Sequence, residues 1–112
     1  MNIQNKKSTI AKNILFCEGV KYYCKEDEDV FFEWIEKIKC IETFSYRWKF
    51  LYLHIPSGNI DDESLKELLS LFYRYNIKMS QLAEFLTKNN KKWFYDNKKS
   101  FWYKNVFQNK KI

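Results

Sequence analysis

The sequence predicts a helix-dominated α+β fold, with four to six short helices packed against a small antiparallel sheet; an all-α fold is the alternative. Its 112 residues suit a single globular domain covering residues 1–112. Apolar residues make up 46% of the chain and charged residues 30%, a balance typical of proteins that bury a hydrophobic core. With two glycines and one proline, the chain has too few turn residues for a β-sandwich or barrel.

The N-terminal quarter is expected to start loosely, over residues 1–7. Ser8 is a suitable N-cap for a short helix over residues 8–16, and Gly19 would end that helix. The β-branched and aromatic side chains of residues 20–24 favour a short strand. This region thus supplies one helix and one strand to the predicted fold.

The segment EDEDVFFEWIEKI carries the clearest amphipathic pattern of the first half. Val30, Trp34 and Ile38 recur every four residues, and Phe31 and Ile35 fall on the same side. A stripe of this kind predicts a helix with that side buried. The acids at its start favour the positive end of the helix dipole.

Residues 41–55, IETFSYRWKFLYLHI, fit two patterns. Aromatic side chains alternate with polar ones from Phe44 to Tyr52, as in a half-buried strand. A helical stripe fits as well, and it consists of Ile41, Phe44, Trp48, Leu51 and Ile55. The aromatic and β-branched content favours the strand, which would need residues 20–24 or another segment as its partner.

The second half contains the most regular helical pattern. Residues 56–59, PSGN, indicate a turn, and Asp61 is a good N-cap for the helix that follows. The apolar face of that helix is made of Leu65, Leu68, Leu69 and Phe72. Ser80 is expected to cap a further helix that ends at Leu86, and the C-terminal aromatic stretch predicts one or two short helices.

That aromatic stretch, WFYDNKKSFWYKNVF, covers residues 93–107 and has two interpretations. In one, bases of a nucleic acid stack on its rings while phosphates contact Lys88, Lys91, Lys92, Lys98, Lys99 and Lys104. In the other, the rings complete the core, through Trp93, Phe94, Phe101, Trp102 and Phe107. Helical spacing favours the core, so a small basic nucleic-acid-binding protein is kept as the alternative function.

Residues suited to catalysis or metal binding are sparse. His54 is the only histidine and the two glycines are isolated, so neither a catalytic triad nor a phosphate-binding loop is indicated. Cys17, Cys24 and Cys40 have no CxxC spacing, and three buried thiols are expected rather than a disulfide or zinc site. We expect no enzymatic activity, no metal and no cofactor.

Targeting signals are also missing from the sequence. The N-terminal residues MNIQNKKSTIAKN contain no apolar stretch long enough for a secretory signal, and nowhere do eighteen apolar residues run together. We therefore expect a cytoplasmic protein without a membrane partner.

The net charge of +6 is distributed unevenly along the chain. Residues 26–36 hold six acids and no base, namely Glu26, Asp27, Glu28, Asp29, Glu33 and Glu36. The helix dipole accounts for two or three of these acids, and the surplus predicts a surface that meets a basic partner. Tyr22 and Tyr23 beside the acids suit the aromatic anchors of protein interfaces. A second acidic cluster, Asp61, Asp62 and Glu63, could extend the same surface.

Three segments together carry a family resemblance: the acidic run leading into DVFFEWIEKI, then DDESLKELLSLFYRYNIKMSQLAEFL, then WF and FWYKNVF near the end. Over about residues 19–107 the chain resembles immunity proteins of bacterial contact-dependent growth inhibition and related polymorphic toxin systems. The resemblance implies a cytoplasmic, non-enzymatic protein that binds the C-terminal toxin domain of a large secreted effector, often a nuclease. Together with the charge pattern, this gives the hypothesis that the six acids, with Tyr22 and Tyr23, dock on a cationic toxin and that binding covers its active site.

Overall fold

The structure, a computed structural model, describes residues 13–56 and 60–108. Its strands are β1 (Asn13–Glu18), β2 (Thr43–Arg47) and β3 (Phe50–Ile55). Its helices are α1 (Lys25–Lys37), α2 (Asp62–Arg74), a 3₁₀ helix (Met79–Phe85), α3 (Lys91–Phe94) and a π-helical turn (Lys104–Gln108). Across the described ranges this is the predicted α+β fold, with five helices and one antiparallel sheet. The predictions for residues 1–7, and most of the PSGN turn, lie outside the described residues.

The sheet has the order β1-β3-β2, and both strand pairs are antiparallel. Side chains alternate across a strand, so the central strand β3 has two different faces. One face is buried in the core and consists of Leu51, Leu53 and Ile55. The other face is half-buried and consists of Phe50, Tyr52 and His54. Leu15 and Cys17 of β1 extend the core face, because they lie opposite Leu53 and Leu51.

Two sequence predictions about the N-terminal quarter are wrong. Residues 13–16 belong to a strand and not to a helix capped by Ser8, since Leu15 and Cys17 alternate into the core; the rest of that predicted helix lies outside the described residues. Residues 20–24 form no strand, because the chain turns at Gly19, whose φ of 62° is left-handed. Strand β1 is the partner of β3 instead.

The preference for strand over helix in residues 42–55 is confirmed, but the strand is not continuous. The chain forms a hairpin there, with a two-residue turn at Trp48 and Lys49 between β2 and β3. The turn breaks the alternation on which the prediction relied. Phe44 and Tyr46 lie opposite Leu53 and Leu51, on the core side, whereas Phe50 and Tyr52 lie on the other face.

Helices α1 and α2 run antiparallel, as two side-chain contacts show. The Tyr75 hydroxyl, just after α2, donates to Asp27 Oδ1 at 2.9 Å, and Trp34 Nε1 donates to Glu67 Oε1 at 3.2 Å. Both helices were predicted. The predicted apolar side of α1 is buried at Phe31, Ile35 and Ile38, half-buried at Trp34 and exposed at Val30, so the inclusion of Val30 was wrong.

Helix α2 begins as predicted. Asp61 is its N-cap, and Asp61 Oδ2 accepts a hydrogen bond from the backbone N–H of Ser64 at 3.3 Å. The whole predicted apolar face is buried, namely Leu65, Leu68, Leu69 and Phe72. The next predicted helix is a 3₁₀ helix whose N-cap is Lys78 rather than Ser80, and it ends at Phe85.

The C-terminal stretch mostly completes the core, as its spacing predicts. Phe94, Tyr103 and Val106 are buried, and Trp93, Trp102 and Phe107 pack against the core half-buried. Trp102 Nε1 donates to the Phe94 carbonyl at 2.9 Å, which joins the two short helices. Phe101 is exposed, contrary to the prediction.

Candidate functional site

The acids at the start of α1 are partly used to hold that helix in place. Its N-cap, Cys24, makes no side-chain capping bond. Instead Asp27 Oδ2 accepts from the backbone N–H of Tyr23 at 3.0 Å, while its other oxygen accepts from Tyr75. Asp29 pairs with Lys25 at 2.7 Å. Asp27 and Asp29 therefore have structural partners, whereas Glu26, Glu28, Glu33 and Glu36 form no ion pair with another described residue.

These four acids lie on two sides of α1. Helical spacing places Glu26 and Glu33 together with Val30 on the outermost side, and all three are exposed. Glu28 and Glu36 lie four residues before and after Phe32, so the three side chains share another side of the helix. The predicted acidic site is therefore divided, and its two parts have different neighbours.

The side of α1 that carries Phe32 faces an aromatic cluster. The Phe32 ring lies 5.5 Å from that of Phe44 and 5.9 Å from that of Tyr46, both on β2. Tyr22 lies 6.3 Å from Phe32 and 5.4 Å from the buried Phe31. Tyr46 is 55% exposed, and Tyr22, Phe32 and Phe44 are half-buried. Together these four rings form the partly exposed floor of a surface.

Carboxylates border this floor. We call the six residues Tyr22, Glu28, Phe32, Glu36, Phe44 and Tyr46 the acidic–aromatic surface. Burial raises the pKa of Tyr22, and the Tyr46 hydroxyl and the negative charge of Glu28 raise it further. The Tyr22 hydroxyl therefore stays protonated at neutral pH. This arrangement of neutral rings and nearby carboxylates suits a cationic side chain.

Tyr23, the other predicted anchor, points to a different region. It is 88% exposed and lines a shallow depression of about 230 Å³ together with Lys21, Arg74, Tyr75 and Asn76. This depression contains two cationic side chains and no acid. Tyr23 therefore does not belong to the surface formed by Tyr22.

The second acidic cluster, Asp61 to Glu63, is also separate from the start of α1. It opens α2, and the antiparallel arrangement places it beside the far end of α1. A helix of 13 residues is about 20 Å long. The second cluster is therefore remote from Glu26 to Asp29, and its place in an acidic surface stays a prediction for the far end of α1.

The opposite face of the sheet has a different chemistry. There the Phe16 ring stacks on Phe50 at 5.0 Å and lies 5.3 Å from Tyr52, and Trp48 contacts the edge of Phe50 at 6.2 Å. Arg47 is paired with Phe50 in the register, so it shares this face. We call Phe16, Arg47, Trp48, Lys49, Phe50 and Tyr52 the basic–aromatic surface.

Sequence reasoning missed most of both surfaces. Phe32, Phe44 and Tyr46 were assigned only to secondary structure, because their contacts join segments distant in the sequence. The signal for Trp48 was available: a tryptophan flanked by Arg47 and Lys49 is unusual in a core strand. The C-terminal lysines are exposed as expected, but the rings between them, apart from Phe101, are buried or half-buried.

The groups considered for catalysis or metal binding form no site in the described ranges. His54 contacts Ser45 Oγ at 3.1 Å, and no cluster of three metal-ligating side chains occurs within residues 13–56 and 60–108. The cysteines form no disulfide. Cys17 is buried and Cys40 half-buried, but Cys24 is exposed, so the prediction of three buried thiols was wrong. Among the helices that the structure describes, none is long and apolar enough to cross a membrane.

No protein family model, curated protein or solved structure matches the chain.

Proposed function

We propose that this protein is a non-enzymatic immunity protein that binds and neutralises a basic bacterial toxin domain. The observation that carries the proposal is the acidic–aromatic surface, in which Glu28 and Glu36 border the partly exposed rings of Tyr22, Phe32 and Tyr46. The resemblance to immunity proteins of contact-dependent growth inhibition systems supports the same partner class.

The surface has the composition of a protein-binding site. Interfaces concentrate their binding energy in a few aromatic and arginine side chains surrounded by a polar rim. Tyr46 supplies an exposed ring, and Phe32, which itself packs against the core, lies 5.9 Å from it. Lysines and arginines of a toxin would contact the flanking carboxylates, and the rings would exclude water from these ion pairs.

The overall charge of the chain is compatible with a basic partner. The net charge is +6, yet at physiological salt charges are screened beyond about 8 Å. A bound basic toxin is therefore attracted by the carboxylates within that distance, while the lysines elsewhere on the chain are largely screened. We therefore expect recognition by a local acidic surface and not by whole-protein charge mimicry.

Inhibition then requires only that the bound protein cover the toxin's substrate site. A nuclease toxin is the expected target, since its substrate-binding cleft is basic in order to hold phosphates. The protein would act in the cytoplasm, where such a toxin meets nucleic acid. It would need no cofactor, because steric and electrostatic blocking involves no chemical step.

Co-expression with the toxin domain encoded immediately upstream tests this proposal. We expect the two chains to purify together at high salt through a tag on either one, and the protein to restore growth to cells that express the toxin domain. A catalytically inactive toxin domain serves as the control for binding without toxicity. Failure both to co-purify and to restore growth would contradict the proposal.

A further inference from the structure

Trp48 lies at a backbone position where a tryptophan is unusual. It is the first residue of the two-residue turn between β2 and β3, and its φ of 63° is left-handed. Hairpin turns place glycine, asparagine or aspartate at such positions. The Trp48 side chain is also 87% exposed. The backbone conformation costs stability and the exposed side chain gains little burial in return, which points to a role for the tryptophan in an interaction.

The neighbours of Trp48 extend it into a row of rings. Trp48 contacts Phe50, Phe50 stacks on Phe16 with an interplanar angle of 24°, and Phe16 contacts Tyr52. Successive centroids are 6.2, 5.0 and 5.3 Å apart. Flat groups can stack on the exposed Trp48 ring and against the partly exposed rings beside it.

Cationic side chains flank this row. The Lys49 ammonium lies 5.3 Å from the centre of the Trp48 ring, and Arg47 is exposed on the same face as Phe50. At the Phe16 end, Lys78 lines a depression together with Phe16 and Glu18. None of these three cations forms an ion pair with another described residue. Among the paired residues of the described strands, Glu18 is the carboxylate on this face, opposite Phe50 in the register.

The backbone edge beside the row is blocked at Phe16. The side-chain amide of Gln81 donates to the Phe16 carbonyl at 2.9 Å and accepts from the Phe16 N–H at 2.8 Å. An extended peptide adding to β1 would need the same two groups. This contact disfavours a peptide strand along β1, and the rings and cations of the surface suit a ligand that binds through flat groups and negative charge.

We propose that the basic–aromatic surface binds single-stranded nucleic acid, with bases stacked on Trp48 and Phe50 and phosphates held by Arg47 and Lys49. Stacking of this kind tolerates any base, because every base has a π-face. RNA and DNA share this chemistry. The proposal is independent of the toxin-binding function, since the acidic–aromatic surface lies on the other face of β2.

The test measures the fluorescence anisotropy of labelled oligothymidylate and oligouridylate, each about 12 nucleotides long. The oligonucleotides are titrated with the full-length protein over a range of salt concentrations.

Glycine at position 48 suits the left-handed backbone of the turn, so Trp48→Gly should leave the melting temperature unchanged or raise it. Its binding to the oligonucleotides should be about tenfold weaker. Arg47→Ala with Lys49→Ala should weaken binding and flatten its salt dependence. Glu18→Gln should strengthen binding.

Lys98→Ala with Lys99→Ala is the matched control, because it removes the same charge from two exposed residues elsewhere. It should change the affinity much less than the change at Arg47 and Lys49. An equal effect of the two double variants, or full affinity in Trp48→Gly, would overturn the proposal in favour of diffuse charge attraction. Absence of binding at low salt, or concentration-dependent self-association through Trp48, would also overturn it.

Discussion

The two faces of the β2 edge carry aromatic surfaces of opposite charge. On one face, Phe44 and Tyr46 meet Phe32 of α1, between Glu28 and Glu36. On the other face, Arg47 lies beside Phe50, next to Trp48 at the turn. The difference shows that neither the aromatic content nor the net charge of the chain identifies its partners. Strand alternation separates the two kinds of surface within a few residues.

The two surfaces also differ in how they are supported. Phe31, which is fully buried, lies within 5.4 Å of Tyr22, Phe32 and Tyr75, so the acidic–aromatic surface rests on the core. Trp48 extends from a turn and touches only the margin of the sheet. We therefore expect stability and binding to be linked at the first surface and separable at the second.

Replacing Phe31 with alanine should produce the largest effect. Removing a fully buried phenylalanine typically costs about 3–5 kcal/mol of unfolding free energy. Urea denaturation of the variant measures this loss, and Trp48→Gly in the same assay should show none. A similar loss in both variants would break the contrast between a supported and an unsupported surface.

Replacing Tyr46 with alanine should weaken toxin binding by about 2 kcal/mol, roughly thirtyfold, if Tyr46 is the aromatic anchor. Tyr73→Ala is the matched control, because Tyr73 is 54% exposed and Tyr46 55% exposed, but Tyr73 lies on α2. Isothermal titration calorimetry with the toxin domain compares them. Equal affinities of the two variants would remove Tyr46 from the interface.

Replacing Tyr75 with phenylalanine should lower stability by about 1 kcal/mol, because the hydrogen bond to the Asp27 carboxylate is lost at a half-buried site. The bond joins α1 to the end of α2. Thermal unfolding measures the change, and Tyr73→Phe is the control, since no hydrogen bond of that hydroxyl occurs in the described part of the chain. An unchanged melting temperature would mean that packing alone holds α1.

The reactivity of the three cysteine thiols is the smallest expected effect, and it reports on the burial of each cysteine separately. Burial raises the pKa of Cys17 to about 12 and that of Cys40 to about 11, whereas Cys24 is exposed beside the start of α1. In the native protein one thiol should react rapidly with a disulfide reagent at pH 8, and Cys24→Ser should remove that fast phase. Rapid reaction of two thiols would contradict the described packing.

The sequence was sufficient for elements that depend on local periodicity. Helices α1 and α2 were predicted because Phe31, Ile35 and the leucines of α2 recur at helical spacing. The hairpin was not, because Trp48 and Lys49 are not turn-forming residues and the aromatic alternation runs across them. The sequence also did not identify β1 as the strand that pairs with β3, because the pairing of segments distant in the sequence cannot be read from local patterns.

The candidate site was predicted only in part. The acids of α1 were identified from charge, but their division follows from contacts that the sequence does not reveal. Asp27 is bound by Tyr75, 48 residues away, and Phe32 meets Tyr46 only because β2 folds beside α1. Tyr22 and Tyr23 are adjacent in sequence yet belong to different surfaces.

The measurement that tests the central claim most directly is the affinity of the toxin domain for two charge-reversal variants. One combines Glu28→Lys with Glu36→Lys, and the other combines Glu63→Lys with Glu84→Lys, so both change the net charge equally at positions outside the buried core. The account predicts a loss of at least about a hundredfold for the first variant and near-native affinity for the second. Equal losses, or a stronger loss in the second variant, would contradict recognition through the acidic–aromatic surface.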